Sequence, residues 1–419
     1  MPVKVENFDG IVVVGAGLSG LLLTICLAKE GYKVKVFDKD RDWRKVKDKT
    51  LRNSANLTIS HRGRAALRSV GLEDEVLNKL TCPMFGRAIH SLKANGRADS
   101  FQPYDEVNRE NAIYSIPSFS RVDFGIILMK AADKFPNVEL MFDTRLMWIK
   151  GDVLHFETRR CKLKGYNTFN DYRPGSLQVR AKLIVGADGG YSTIKSAMCR
   201  LKHIDYIRTY HSVGYKYLRM PPDKDGNYAL KDSKSLHIWP RGECILTAFP
   251  NPDKSFSCTL FAPLKTSSEG LGLNDINTTK EVKEYFAKHF PDVIQLIPNY
   301  IKEFKKYPSN CPSVMTKCWP WNINDKIVLI GDAAHAMVPF YGQAVDAAFE
   351  DVMIFMETLK EKKGNLSETV YAFVKKRKPS GDAIVKLSVR NYDELRLHIA
   401  NPLFLLRKKC EGCLLYTSP

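Results

Sequence analysis

The sequence predicts an α/β fold: a parallel, doubly wound sheet interrupted by a separate antiparallel sheet and followed by a helical C-terminal part. Three observations predict it. Apolar runs at residues 11–14, 183–185 and 327–330 have the composition of strands buried on both faces, and each runs into a glycine-bearing turn. Alternating runs such as 244–249 and 256–261, within 207–264, suit a half-buried antiparallel sheet instead. Helical periodicity then fills most of 344–400.

Each element follows in order. Residues 10–40 read as one βαβ unit, with strand 11–14, a helix over about 18–30 and strand 33–37. A second helix near 62–70 follows Ser60-His61, and 85–120 reads as a strand-rich excursion. Helical periodicity covers 121–135, and 138–142 and 147–156 read as strands. Residues 162–180 carry Gly, Asn, Asp and Pro and read as a surface hairpin, before the chain returns to its first sheet at 181–196. A helix is expected near Thr279–His289, and the parallel sheet resumes at Lys326. The first domain therefore comprises 1–80, 105–200 and 320–365, and the second 81–104 and 201–319. C-terminal helices occupy 366–408, leaving a tail at 409–419.

Bulk properties narrow the class. The 419 residues are 44% apolar and 26% charged, ordinary for a globular protein. No apolar run reaches the ~18 residues that span a bilayer. The first strand starts by residue 11, which leaves no room for a signal or transit peptide and predicts folding on the cytosolic side. The ten cysteines lack a disulfide-scaffold rhythm and are expected to be reduced thiols, with Cys410-x-x-Cys413 a chance spacing. No metal site is expected. The formal net charge is +18, and the densest basic run is Lys375-Lys376-Arg377-Lys378. A solvated helix end and a contact with anionic lipid both remain open for that run. Nucleic-acid binding lacks any accompanying motif, and no nucleic-acid partner is expected.

The three turns carry the chemistry. In Gly15-x-Gly17-x-x-Gly20 the first glycine makes the strand-to-helix turn and the second admits a pyrophosphate. The third packs helix on strand, and the helix N-terminus then offers bare N–H groups and a positive dipole end. Asp38 ends the next strand, where an acid accepts hydrogen bonds from an adenosine ribose and disfavours a 2′-phosphate. This Rossmann-like pattern suits FAD rather than NADPH. Gly186-Ala187-Asp188-Gly189 caps the second run. Gly331-Asp332-Ala333-Ala334-His335 caps the third, where Asp332 can bond a ribityl hydroxyl. Pro339-Phe340-Tyr341-Gly342-Gln343 leads into a helix at about Ala344, whose N-terminus can face the flavin edge that gathers negative charge on reduction. His335 is read as structural rather than as a base.

At this point the chain resembles the FAD-dependent aromatic hydroxylases, and within them the branch acting on L-kynurenine, over about residues 9–408. The supporting stretches are Asn56-Leu57 with Ser60-His61-Arg62-Gly63-Arg64, Val70-Gly71-Leu72-Glu73-Asp74, Ile89-His90-Ser91-Leu92, Leu236-His237-Ile238-Trp239-Pro240-Arg241, Lys254-Ser255-Phe256 with Cys258-Thr259-Leu260-Phe261, 331–340, and Asn391-Tyr392 with Glu394. The resemblance implies that Ser19, Asp38, Thr58, Arg121, Leu146, Thr193 and Asp332 contact FAD, together with Gly15, Gly17, Gly20, Asp188, Val345 and Asp346. It implies that Arg87 and Tyr104 hold the substrate carboxylate, as the forked guanidinium suits. Phe261, Pro339, Phe340 and Gln343 are implied to enclose the aromatic ring, with Asn391 and Glu394 as the facing wall; Arg87, Tyr104 and Gln343 are the implied catalytic set. The implied reaction uses NADPH to reduce FAD and O2 to form a flavin C4a-hydroperoxide, whose terminal oxygen goes to the ring carbon ortho to the aniline nitrogen. The implied location is the cytosolic face of the mitochondrial outer membrane, held by a C-terminal anchor that this chain lacks; the oligomeric state is left open.

Two departures raise expectations of their own. The family reads Gly-Gln-Gly-Met-Asn-Ala-Gly where this chain reads Gly342-Gln343-Ala344-Val345-Asp346-Ala347-Ala348. The alanines are expected to hinder close backbone approach to the flavin, and an ionised Asp346 beside reduced flavin to be repulsive, so that Asp346 either turns away or is protonated or the enzyme is slow or uncoupled; Asp346→Asn is expected to speed flavin reduction. The match also ends near Arg407-Lys408, and residues 411–419 resemble nothing in the family, which suggests a truncated chain. The alternatives are another FAD-dependent aromatic hydroxylase and a catalytically impaired flavoprotein-like binding protein.

Overall fold

The computed structural model describes residues 4–46, 56–92, 98, 100–104, 115–161, 173–268, 270–306, 311–395, 403 and 407. The strands are β1 (Val5–Val14), β2 (Val34–Phe37), β3 (Asn56–Thr58), β4 (Cys82–Met84), β5 (Gly86–Ile89), β6 (Ser100–Pro103), β7 (Ile116–Ser120), β8 (Val138–Met141) and β9 (Thr144–Lys150). They continue with β10 (Val153–Cys161), β11 (Arg173–Gly186), β12 (Asp205–Met220), β13 (Ser235–Arg241), β14 (Cys244–Pro250), β15 (Phe256–Pro263), β16 (Cys311–Trp319), β17 (Asn322–Ile323) and β18 (Ile327–Leu329). The helices are α1 (Leu18–Lys29), α2 (His61–Val70), α3 (Glu73–Leu80), α4 (Arg121–Ala132), α5 (Thr193–Leu201), α6 (Thr279–His289), α7 (Tyr300–Lys306), α8 (Asp332–His335), α9 (Ala344–Glu361) and α10 (Leu366–Asp393).

The first sheet runs β17-β18-β11-β1-β2-β8, with β9 and β10 attached at β11. The pairs β18–β11, β11–β1, β1–β2 and β2–β8 are parallel. Such strands need cover on both faces, which explains why Ile11, Val12 and Val13 are wholly buried, and Leu183, Val328 and Leu329 with them. α1, α4 and α9 contribute Leu22, Phe124 and Phe349 to the same core.

The second sheet runs β16-β12-β15-β14-β13-β5-β6 and is antiparallel except where β13 lies parallel to β5. Its strands alternate between two faces. One face sends Trp239, Leu246, Phe256 and Leu260 against Phe286 of α6 and Phe304 of α7. The other sends Ile89, Ile238, Ile245 and Phe261 against Phe340 and against Tyr392 of α10. A small sheet, β3-β7-β4, joins the two halves.

Two expectations are corrected. β11 already begins at Arg173 and pairs antiparallel with β10, so the return strand starts before residue 181 and the polar stretch becomes a ladder; residues 162–172 lie outside the described residues. The basic run is not a solvated helix end. It lies mid-way along α10, and Arg377 within it is buried among carboxylates. Cys410, Cys413 and the tail also lie outside the described residues.

Candidate active site

Register brings the three glycine turns together. Val14 pairs with Gly186 and Gly186 with Leu329, so all three strands end level on one edge. The edge is stitched beyond the strands: Gly15 N–H donates to Phe37 O at 2.8 Å, Ala187 N–H to Val14 O at 2.8 Å and Ile330 N–H to Gly186 O at 3.0 Å. A cleft of about 790 Å³ opens there. Gly15, Gly17, Asp38, Arg121, Leu146, Asp188 and Thr193 all line it.

The cleft fits a dinucleotide on three counts. Gly15 has φ +107°, and a β-carbon on it would lie 2.3 Å from Ala187 O, so only glycine lets the turn close. α1 starts at Gly17 with no side-chain cap and no acid in its first turn, leaving its N–H groups and dipole end for a pyrophosphate. Asp188 uses Oδ2 to accept from Thr193 N–H at 2.6 Å and Ile194 N–H at 3.1 Å, while Oδ1 is buried with no hydrogen-bond partner. A buried orphan oxygen at the rim of a cleft is an acceptor for a ligand hydroxyl. Asp38 braces the turn as well: Oδ2 accepts from Ala16 N–H at 2.6 Å and Oδ1 from Asp40 N–H at 2.7 Å. Burial pushes the Asp38 carboxyl up, against those N–H donors.

Other expected cofactor residues sit outside that lining. Gly20 is buried, and a β-carbon there would meet Gly15 O at 2.1 Å, so it packs helix on strand. Ser19 lies beside the third turn: a β-carbon on Gly331 would stand 2.8 Å from its Oγ. Asp332 is exposed just past that turn. The Thr58 hydroxyl donates to Gly342 O at 3.1 Å, next to the start of α9. Val345 is buried.

Asp346 requires a correction. Its carboxylate is wholly buried against α2, accepting from Ser60 N–H at 2.9 Å and from Gly63 N–H at 2.9 Å. It thus caps a helix whose own Ser60 supplies no side-chain cap. Burial raises its pKa while those donors pull it back. Gly63 leaves room for it, since a β-carbon there would come within 2.5 Å of Oδ1. Its charge is spent on α2, which removes the reason to expect that an amide would speed flavin reduction. Asp346→Ala leaves two buried N–H groups bare and should cost about 1–3 kcal/mol of unfolding free energy. Asp346→Asn keeps an acceptor and should cost under about 1 kcal/mol, with stopped-flow flavin reduction unchanged. Denaturant titration of both variants measures the difference.

The second sheet carries the expected substrate residues, and none of them is among the residues that line the cleft. Arg87 and Ile89 lie two apart on β5 and share the face that carries Phe261. The Arg87 guanidinium stands 5.9 Å from the Tyr104 ring centroid, and Tyr104 is fixed by its N–H donating to Phe85 O at 2.9 Å. Burial pushes the Tyr104 phenol up and Arg87 draws it back, so the hydroxyl stays protonated at neutral pH. Phe261 meets Phe340 edge-on at 5.1 Å, and Phe340 meets Tyr392 at 4.3 Å. Tyr392, His211 and Tyr215 complete this aromatic group; of these only Tyr392 fell within a matched sequence stretch. Pro339 is exposed and Glu394 half-buried. Two expected pocket residues have other partners: Asn391 Nδ2 donates to Phe340 O at 2.7 Å, and Gln343 Oε1 accepts from Arg62. Asn391 therefore holds the aromatic wall through its backbone.

Beneath the third turn lies a buried ionic group that sequence reading missed. His335 Nε2 meets Asp351 Oδ2 at 2.7 Å, and Arg377 Nε donates to Asp351 Oδ1 at 2.6 Å. Burial pulls the His335 imidazole down, but the Asp351 carboxylate more than offsets this and raises it above 6.5. Burial likewise raises Asp351, and His335 with Arg377 reverses that to hold it low. The stabilisation from His335 is fully present below about 6.5 and is lost as pH rises through the higher folded value. The unfolding free energy of the wild type, relative to His335→Gln, should therefore decline across the window above pH 6.5, as denaturant titrations at fixed salt would show.

A family model described as FAD binding domain matches residues 10–388. The chain is 39% identical over 407 residues to the kynurenine 3-monooxygenase of Christiangramia forsetii, covering 96% of this chain and 84% of that one. It is 36% identical to those of Anopheles gambiae, with 98% and 79% covered, and Sus scrofa, with 96% and 80% covered. Among solved structures, 2-methyl-3-hydroxypyridine-5-carboxylic acid oxygenase superposes with TM-score 0.68 at 18% identity, over 96% of each chain. The p-nitrophenol 4-monooxygenase of Pseudomonas putida gives 0.68 at 16%, over 97% of this chain and 93% of that one. At those identities the structural likeness bears on the fold.

Proposed function

The chain belongs to the kynurenine 3-monooxygenase family of FAD-dependent monooxygenases, and from that premise we propose how its residues divide the hydroxylation of L-kynurenine at ring position 3 with NADPH and O2. FAD, once bound and reduced by NADPH, supplies the chemistry of oxygen transfer. Gly15, Gly17 and the N-terminus of α1 would hold its pyrophosphate and Asp38 and Asp188 would take its hydroxyls, with Arg121 and Leu146 lining the same cleft. Asp332, with Ser19 and Thr58 near it, serves the flavin end.

Arg87 and Tyr104 grip the carboxylate of the substrate, the guanidinium by charge-assisted bonds and the neutral phenol as a further donor. Phe261, Phe340 and Tyr392 flank the ring and keep water from the reacting carbon. The aniline nitrogen activates its own ortho carbon, so no protein base is required there. The observation that carries this reading is the shared edge: three strand tips level in register, with a sheet face bearing Arg87 and Phe261 in the same chain.

The test is a single assay on purified protein. L-kynurenine should accelerate NADPH oxidation and yield 3-hydroxykynurenine in proportion. Yellow protein whose NADPH oxidation ignores L-kynurenine but responds to another aromatic acid would reject the substrate assignment. As to location, no helix among the described residues is long and apolar enough to cross a membrane. Placement on the cytosolic face of the mitochondrial outer membrane is part of this proposal, supported by the sequence resemblance, and fractionation with protease accessibility tests it.

A further inference from the structure

The turn that presents Asp332 is held on its carbonyl side from within, Gly331 O accepting from Ala334 N–H at 2.9 Å and His335 N–H at 3.0 Å. Gly331 has φ +58° and ψ −142°, a backbone conformation outside the broad basins of other residues, and α8 beyond it has only one turn. The N–H side of the turn is fixed by one carboxylate from a distant helix. Asp351 Oδ2 accepts the Gly331 N–H at 2.7 Å, beside the His335 Nε2 contact at 2.7 Å. Oδ1 accepts Arg377 Nε from α10 at 2.6 Å, and Arg377 Nη2 goes on to Ala347 O at 2.9 Å and Glu350 Oε2 at 3.1 Å. Asp351 is 0% exposed, His335 1% and Arg377 4%.

Neighbouring groups close the site around these three. The Trp321 ring lies 5.3 Å from the imidazole, and Gly381 comes so near that a β-carbon there would stand 2.6 Å from Trp321 and 3.1 Å from His335 Cδ2. A buried ionic group of this kind gains little stability over an apolar packing of equal volume, because each charge was removed from water. Its distinctive property is directional: it fixes where the accepting oxygens, and therefore the Gly331 N–H, must lie. The turn that it fixes ends in an exposed carboxylate just past the tip of β18, the third of the level strand ends.

We propose that His335 and Arg377 are positioning residues for the flavin: by clamping Asp351 they hold the Gly331–Asp332 turn so that the Asp332 carboxylate meets the ribityl chain. The inference rests on the assignment of Asp332 to that chain. It gives the histidine of the third motif a task other than proton transfer.

FAD titration of apo-protein, followed by flavin fluorescence, tests it alongside thermal denaturation of the apo-protein and the flavin midpoint potential. His335→Leu should weaken FAD binding by roughly tenfold and shift the potential. His335→Gln, which keeps a donor for Asp351, should restore most of both. A role confined to folding would instead lower the apo-protein melting temperature and leave affinity and potential alone. In an Asp332→Ala background, His335→Leu should add less than about a twofold further loss, since it acts through that carboxylate. If the leucine variant does not fold, Arg377→Gln carries the same expectation. Wild-type affinity and potential in His335→Leu or Arg377→Gln, with Asp332→Ala impaired, overturn the inference and leave the ribityl assignment standing. Wild-type affinity in Asp332→Ala removes the assignment itself.

Discussion

Arg87→Met should raise the KM for L-kynurenine by roughly 100-fold while FAD binding and substrate-free NADPH oxidation stay at wild-type levels. The magnitude follows from what is removed. A charge-assisted bond to a carboxylate contributes about 1.5–3 kcal/mol, and the upper end corresponds to roughly two orders of magnitude in binding. Methionine keeps most of the apolar stem against Leu236, the parallel neighbour of Arg87 on β13, so sheet packing is preserved. The phenol of Tyr104 stays as a neutral donor, which limits the loss. Steady-state kinetics with varied L-kynurenine supply the measurement. An unchanged KM, or a loss confined to kcat, would place the carboxylate elsewhere.

Gly15→Val should yield protein without bound flavin, and most of it insoluble. Two costs coincide at this position. The backbone at φ +107° is one that a β-branched residue hardly adopts, at about 1–3 kcal/mol. The added carbon would stand 2.3 Å from Ala187 O, a backbone atom that cannot swing aside, which adds about 1–3 kcal/mol. Their sum is a large share of the ~5–15 kcal/mol that holds a typical domain together. Because Ala187 precedes Asp188, any relief by movement drags the second turn out of line with the first. Gly15→Ala carries the same β-carbon at the same φ and lacks only the two γ-methyls, so it should fail in the same direction with a larger soluble fraction. The ratio of flavin to protein absorbance, with the melting temperature, distinguishes the two variants.

What could be read from the sequence follows from where the physics is local. Continuous apolar runs such as 11–14 mean cover on both faces, and a glycine directly after such a run marks where a chain turns tightly. Those two signals located the strand tips, and hence Gly15, Gly17, Asp38 and Asp188 at one cleft; Arg121, Leu146 and Thr193, which line it too, came from the resemblance. Direction along a helix was not readable in the same way. The resemblance put Asp346 beside the cofactor and left open whether it turns away; it does turn, to N–H groups 286 and 283 positions earlier. Arg377 looked like one more solvated cation in a basic run, and only the fold reveals the carboxylates of Asp351 and Glu350 against it. The resemblance put Asn391 at the wall of the pocket without naming its partner, which is the Phe340 carbonyl. Each case concerns a polar side chain whose partner is remote in sequence, where residue type gives the need for a bond but not its address.

The path of the backbone between the sheets has a consequence for how the molecule can come apart. After β4 the chain leaves for the second sheet to lay down β5 and β6, comes back for β7, departs again at β12 and re-enters the first sheet at β17. No single cut separates two self-sufficient pieces. A nick between β11 and β12 would leave the amino-terminal fragment carrying two edge strands of a sheet whose remainder belongs to its mate. Such fragments should regain structure only when mixed, and the intact chain should melt in one cooperative step rather than losing a ligand-holding half first.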